Sequence, residues 1–350
     1  MDSIEIRIPK ILPLDKGAMQ AARSRQKQLT KPPGSLGRLE TLSIQIAGIT
    51  RQARPHIRQP VVITMAADHG IARQGVSAYP SEVTAQMVAN FLRGGAGINV
   101  LARHVGARVV VVDMGVATEL APHPSLVNRK IVKGTCDFSV EPAMTRDQAC
   151  RAIQAGIETA IAQDGADIVA TGDMGIGNTA ASAAIAATMT ACAVSEVTGR
   201  GTGLDDAMLA KKIQTIERAL VFHKPNPSDA LDVLSKVGGF EIGGIAGVII
   251  GAASRRVPVV IDGFISGAAA LIACGLAPGV QPYLIAAHQS VEIGHRAILK
   301  HLRLNPLLDL DLRLGEGTGA ALAISLCIAA CKILDEMATF DEAGVVEKSG

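Results

Sequence analysis

The sequence predicts an α/β fold, a mostly parallel open sheet flanked by helices, with a small helical subdomain built from the two chain ends. Three observations carry this. Short β-branched runs alternate with long alanine-rich stretches, the pattern of βα units on a parallel sheet covered on both faces. Residues 1–50 lack any strand signal, and residues 320–337 form an apolar helix. The expected division is therefore 1–50 with 320–350 as the helical subdomain and 51–319 as the α/β domain.

Taken in order, the chain first presents Lys31-Pro-Pro-Gly-Ser-Leu-Gly-Arg-Leu-Glu40, a Pro/Gly loop that leads into an amphipathic helix and equally suits a rigid linker. Five strand runs come next: Val61–Met65, Val109–Val112, Ile168–Ala170, Val259–Ile261 and Leu284–Ala286. Each is succeeded by polar residues and glycines, in turn Ala-Ala-Asp68-His69-Gly70, Asp113-Met-Gly115, Thr-Gly172-Asp173-Met-Gly175, Asp262-Gly263-Phe264 and Ala-His288-Gln-Ser290. In open α/β sheets ligands bind beyond the carboxyl ends of the strands, near the switch in strand order, so these segments are expected to converge on one cleft. Asp and Gly are also ordinary turn and cap residues, which is the competing explanation for any one of them. The tail from Glu342, ending Lys348-Ser-Gly, reads as frayed.

Composition narrows the function. The 350 residues are 48% hydrophobic, enough for a sizeable core. With 34 basic against 32 acidic residues, a net charge of +2 and no basic runs, the chain is not expected to bind nucleic acid. The scarcity of aromatic residues, with no Trp, agrees. The N-terminus lacks a basic-then-apolar signal, and apolar stretches such as Ala180–Val194 carry Ser and Thr, so no membrane association is expected and the cytoplasm is. Six cysteines form no Cys-x-x-Cys and eight histidines no His-Glu-x-x-His, so neither metal nor disulfide is expected.

Two segments carry chemistry. Gly172-Asp-Met-Gly-Ile-Gly-Asn-Thr-Ala180 joins a strand to an alanine-rich helix, and the amides of such a turn bind phosphate without cationic side chains. From Gly175 it also reads Gly-x-Gly-x-x-Ala, a dinucleotide-binding variant with Glu196 as a ribose ligand, although such a fingerprint normally comes after the first strand of its domain and this one comes after two earlier strands. The second segment sets Glu316 among Gly315, Gly317 and Gly319 at the mouth of an apolar helix. The glycines permit close ligand approach; loss of water would make the acid a base near neutrality, whereas its plainer use is to cap its helix. Gly-x-x-x-x-Gly-Lys-[Ser/Thr], Gly-x-Ser-x-Gly and a strand ending in paired acids before a Thr-Gly-Gly-Thr turn are all absent, which removes P-loop enzymes, ordinary α/β-hydrolases and the common phosphoribosyl diphosphate class.

Lys31-Pro-Pro-Gly-Ser-Leu-Gly-Arg-Leu-Glu40, Ala67-Asp-His-Gly70, Gly172-Asp-Met-Gly-Ile-Gly-Asn-Thr179, Leu234-Ser-Lys-Val-Gly-Gly-Phe240, Asp262-Gly-Phe264 and Leu314-Gly-Glu-Gly-Thr-Gly-Ala-Ala321 together resemble the nicotinate-nucleotide–dimethylbenzimidazole phosphoribosyltransferase family of cobalamin lower-ligand assembly. The match runs in order from about residue 15 to about residue 335. The resemblance implies transfer of ribose phosphate from nicotinate mononucleotide to a ring nitrogen of dimethylbenzimidazole or a related base, giving α-ribazole phosphate and nicotinate. It also implies a homodimer that needs neither metal nor cofactor, with 51–319 holding the nucleotide site and the catalytic residues.

Residue by residue, Glu316 matches the family's general base. Asp173 stands where the family usually carries Glu, an acid shortened by one methylene that contacts the ribose or the acceptor. Gly175, Gly177, Asn178 and Thr179 match the phosphate cradle, joined by Lys212 or its neighbour Lys211, by Gly263, Ser266 and Ser290, with Phe264 and Gly319 also on the nucleotide side. Tyr79, Met87 and Leu314 match the base pocket. Tyr79 replaces a small residue of some relatives, which bears on base preference, and Met87 is equally suited to core filling. Two other readings are an NAD-dependent oxidoreductase and a non-catalytic partner subunit of a mixed dimer.

Overall fold

The computed structural model describes residues 6–201 and 203–346. In chain order its elements are α1 (Lys16–Gln28), α2 (Arg38–Thr50), β1 (Pro60–Ala67), α3 (Glu82–Leu92), α4 (Gly97–His104), β2 (Arg108–Gly115), β3 (Leu126–Asn128), α5 (Arg146–Ile161) and β4 (Ile168–Met174). They continue with α6 (Asn178–Thr190), α7 (Val194–Val197), α8 (Asp206–His223), α9 (Ala230–Val237), α10 (Phe240–Ser254), β5 (Val259–Ile261), α11 (Phe264–Leu276), β6 (Leu284–Ala286), α12 (Ile293–His301), α13 (Thr318–Glu336) and α14 (Phe340–Ala343). Helix starts obey local chemistry: Asp15, Thr145, Asp205 and Asp229 each accept a first-turn amide hydrogen bond.

The six strands lie in the order β3-β2-β1-β4-β5-β6, all parallel. All five expected strands are present. The sixth, β3, is an edge strand of three residues that pairs only with Val111–Asp113 of β2 and lies in a stretch without a β-branched run. β4 runs past Ala170 to Met174 because Gly172 and Asp173 stay in the ladder against Thr64 and Met65. Strand order reverses between β1 and β4, so the crevice opens where Asp68-His69 and Gly172-Asp173 end their strands.

Each face of the sheet is covered. One apolar layer joins it to α5, α6, α9, α10 and α11, the other to α2, α3, α4 and α13. α10 is buried on every side from Phe240 to Ala253 and presses on α5 through glycines: a Cβ at Gly156 would collide with the Gly244 carbonyl. Among the described residues α13 is the one helix long and apolar enough to cross a membrane. Its apolar residues Ala320, Ala321, Ala323, Ile324, Cys327 and Cys331 are buried in the layer shared with the sheet.

The chain ends meet. α1 packs on α2 and α2 on α13, and Arg25 donates to the carbonyls of Leu334, Asp335 and Met337 at 2.6, 3.0 and 3.1 Å. α14, its start capped reciprocally by Thr339 and Glu342, ends at Ala343, and the close of the tail expected to fray, Lys348-Ser-Gly, lies within 347–350, outside the described residues.

Candidate active site

The turns that end β4, β5 and β6, with Gly201 and the loop before α13, enclose a cleft of about 110 Å³. Of the expected residues it brings together Asp173, Gly175, Asn178, Thr179, Gly263, Phe264, Ser290 and Leu314 on its walls. The glycine turn is shaped by its neighbours: a Cβ at Gly175 would meet the Ala67 carbonyl at 2.5 Å, and Gly177, at φ +100°, is the N-cap of α6. The Ile176 amide donates to Thr84 of α3 at 3.1 Å. First-turn amides of a helix lack intrahelical acceptors, so the start of α6 offers donors to an anion.

Lys212 stands behind this turn on α8, fully buried, its Nζ donating to Thr179 Oγ1 at 2.8 Å and to the Gly199 carbonyl at 3.3 Å. Burial lowers its pKa to about 8, against the opposing charge of Glu292. Between the two adjacent lysines, this one is held at the turn.

The loop carrying Glu316 is strained toward one shape. Gly315, Glu316 and Gly317 take φ values of +79°, +64° and +97° in succession, and for a glutamate this region is rarely populated. The loop packs directly on the glycine turn. Any Cβ at Gly172 would strike the Glu316 carbonyl, which accepts from Thr64 Oγ1 at 3.0 Å, and a Cβ at Gly315 would lie 3.2 Å from the Asp173 carboxylate. The candidate base and the phosphate turn are thus adjacent within one protomer.

Glu316 does not cap its own helix. Asp262 does so, accepting from Gly317 at 3.2 Å and Ala320 at 2.8 Å, while the Glu316 carboxylate accepts from the Ile98 amide of α4 at 3.0 Å. Burial raises the Glu316 pKa above the ordinary carboxylate value; the Ile98 hydrogen bond opposes this and the Asp262 charge adds to it. Asp173 is pushed further, well above its ordinary value, by burial and by the charges of Asp262 and Glu241, against one hydrogen bond from Asn178 at 3.0 Å.

Other expected residues fall behind the cleft wall. Ser266 is buried beneath β4, accepting from Thr171 Oγ1 at 2.9 Å. Gly319 makes room for His288, whose ring a Cβ there would overlap. Met87 is half-buried against the apolar layer over α3. Tyr79 is 53% exposed on the loop before α3, and neither it nor Met87 lines the cleft. Leu314 lines it while 61% exposed, its tip leaning on the start of α4.

Several groups at the site are not among the expected site residues. His69 and Glu241 form a wholly buried pair at 2.6 Å, 172 residues apart, directly beneath Gly175 and Gly177. His288, Glu292 and Arg313 also line the cleft, and Arg313 ties its loop to Gly201 by a 3.1 Å hydrogen bond. Polar residues after strands mark His69 and His288. Nothing marks a glutamate between Val291 and Ile293.

A phosphoribosyltransferase family model matches residues 11–345. The chain is 68% identical to the nicotinate-nucleotide–dimethylbenzimidazole phosphoribosyltransferase of Roseiflexus sp. (strain RS-1), over 99% of each chain. It is 66% identical to that of Chloroflexus aurantiacus (strain ATCC 29366 / DSM 635 / J-10-fl), over 99% of this chain and 100% of the other. The crystal structure of the enzyme of the same name from Thermus thermophilus superposes with a TM-score of 0.91 at 46% identity, covering 96% of this chain and 100% of that one.

Proposed function

The chain belongs to the nicotinate-nucleotide–dimethylbenzimidazole phosphoribosyltransferase family, and we propose that Glu316 and the 172–179 turn carry out its transfer of ribose phosphate from nicotinate mononucleotide to dimethylbenzimidazole. The products are α-ribazole phosphate and nicotinate. One observation supports the placement above others: the loop of Glu316 rests on Gly172 so closely that no side chain fits between them.

The nucleotide's phosphate binds at the start of α6, held by Thr179, Asn178 and the charged Lys212. This places C1′ toward Asp173 and Gly315. The departing pyridinium leaves as a neutral ring and needs little acid assistance. The incoming azole must lose its N–H proton, and Glu316 takes it. Burial raises the basicity of this carboxylate, and orientation against C1′ supplies several further kcal/mol. Asp173, one methylene shorter than the family's Glu, reaches the sugar or the acceptor through water. Leu314 borders the acceptor at the start of α4, and Tyr79, on the exposed loop before α3 outside the cleft wall, bears on base preference.

The protein works as a homodimer in the cytoplasm, with 1–50 and 320–350 forming a helical subdomain beside 51–319. Support for self-association comes from exposed Val291, Ile293, Leu310 and Leu314 around the cleft mouth. Incubating the purified protein with nicotinate mononucleotide and mixed bases, with mass spectrometry of the products, tests the reaction. Nicotinate released in equal amount with a base riboside phosphate is expected; reduced-cofactor absorbance with a nicotinamide dinucleotide and an alcohol would establish an oxidoreductase instead.

A further inference from the structure

Glu292 is 7% exposed and lines the cleft, yet its carboxylate accepts no hydrogen bond from the described residues and Oε2 is buried without a partner. It is the N-cap residue of α12, but its side chain does not cap that helix. Its backbone amide donates to Ser290 Oγ at 3.3 Å. The charge of Lys212 is felt by Glu292, but the two form no direct ion pair. Lys212 is committed to Thr179 and to the Gly199 carbonyl, and Gly199 stands against the carboxylate so tightly that a Cβ there would overlap Oε2. A buried, unpaired carboxylate costs several kcal/mol unless something supplies a donor.

Resting on the reaction proposed above, the bound nucleotide limits what that donor is. Its phosphate is an anion and repels the carboxylate, its nicotinate carboxylate does the same, and the quaternary ring nitrogen carries no hydrogen. Only the ribose hydroxyls donate. We propose that Glu292 reads the sugar, its carboxylate accepting a hydrogen bond from the 2′- or 3′-hydroxyl and selecting ribose over deoxyribose. The position suits this, because Lys212 and Thr179 take the phosphate beside it and Gly315 and Asp173 border the reacting carbon. A site built around a substrate hydroxyl rejects the analogue that lacks it, since the buried acceptor is then left unpaired.

The test compares kcat/KM for nicotinate mononucleotide and its 2′-deoxy and 3′-deoxy analogues in the wild type, Glu292→Ala and Glu292→Gln. In the wild type one of the two analogues is expected to fall at least about a hundredfold, identifying the hydroxyl. In Glu292→Ala the ribose substrate falls to the level of that analogue and the preference shrinks to within about threefold, the non-additivity expected of two groups in contact. Glu292→Gln, which keeps an acceptor oxygen without charge, is expected to narrow the preference at least about tenfold, and it decides the matter should the alanine variant not fold. A wild type indifferent to both deoxy sugars, or variants that keep the full wild-type preference, overturns the assignment. A wild type that releases no nicotinate at all refutes the reaction rather than the role of Glu292.

Discussion

At the scale of single residues the decisive features are an acid, a lysine and their surroundings. Glu316→Gln is expected to leave nucleotide and base affinities near wild type while kcat falls about 10²–10⁴-fold; equilibrium binding with steady-state kinetics checks it, and near-wild-type turnover removes the base assignment. Lys212→Ala is expected to raise KM for the nucleotide far more than KM for the base. Its pH dependence has a definite sign. Because the pKa is lowered to about 8, the ammonium persists below that pH and is lost above it, so nucleotide KM stays flat below about pH 8 and climbs above it. Glu316 works in the opposite direction: its raised pKa means the ionised base is lost as pH falls, at a higher pH than an ordinary glutamate would show. Glu316, Asp173 and the 175–179 turn are legible in the sequence because glycines at fixed offsets around a polar residue are a local pattern. Lys212 is separable from Lys211 only by burial. Glu241 is not legible, because its partner His69 lies 172 residues away, and Glu292 is not, because no motif surrounds it and only the fold turns it to the cleft.

At the scale of elements the five strand runs and the turns that end them are readable, since each is a contiguous apolar run closed by polar residues. β3 is not, because Leu126-Val127-Asn128 stands in a stretch of prolines and polar residues with no contiguous apolar run. The role of Asp262 is also hidden. That it, and not Glu316, caps α13 depends on β5 ending beneath that helix. The contact of α5 with α10 offers a quantitative test: Gly156→Ala puts a methyl against the Gly244 carbonyl and is expected to destabilise the fold by about 1–3 kcal/mol through overpacking. Urea denaturation measures this, and a variant as stable as the wild type would show that the helices separate at no cost.

At the scale of the whole molecule the two ends of the chain close on each other. Arg25 alone makes three hydrogen bonds to carbonyls at the end of α13, where a cation also complements the helix dipole. Arg25→Ala is expected to cost about 1–3 kcal/mol and to speed amide exchange in α1 while exchange in β1 and β4 stays slow; equal acceleration in the sheet would contradict a separable helical unit. Sedimentation equilibrium is expected to give twice the 36.2 kDa chain mass. Assembly leaves no local sequence pattern, and the apolar residues around the cleft mouth become recognisable as a patch only once the loops of 287–293 and 308–314 lie side by side.

The hydrogen bond from Ile98 to Glu316 has a cost and a use. An anion that also anchors the first turn of a neighbouring helix surrenders some of its appetite for hydrogen, since the tether favours the charged state. In exchange it cannot swing. In the proposed reaction the group that meets one edge of a flat heterocycle is kept on aim before any substrate arrives, sacrificing reactivity for alignment.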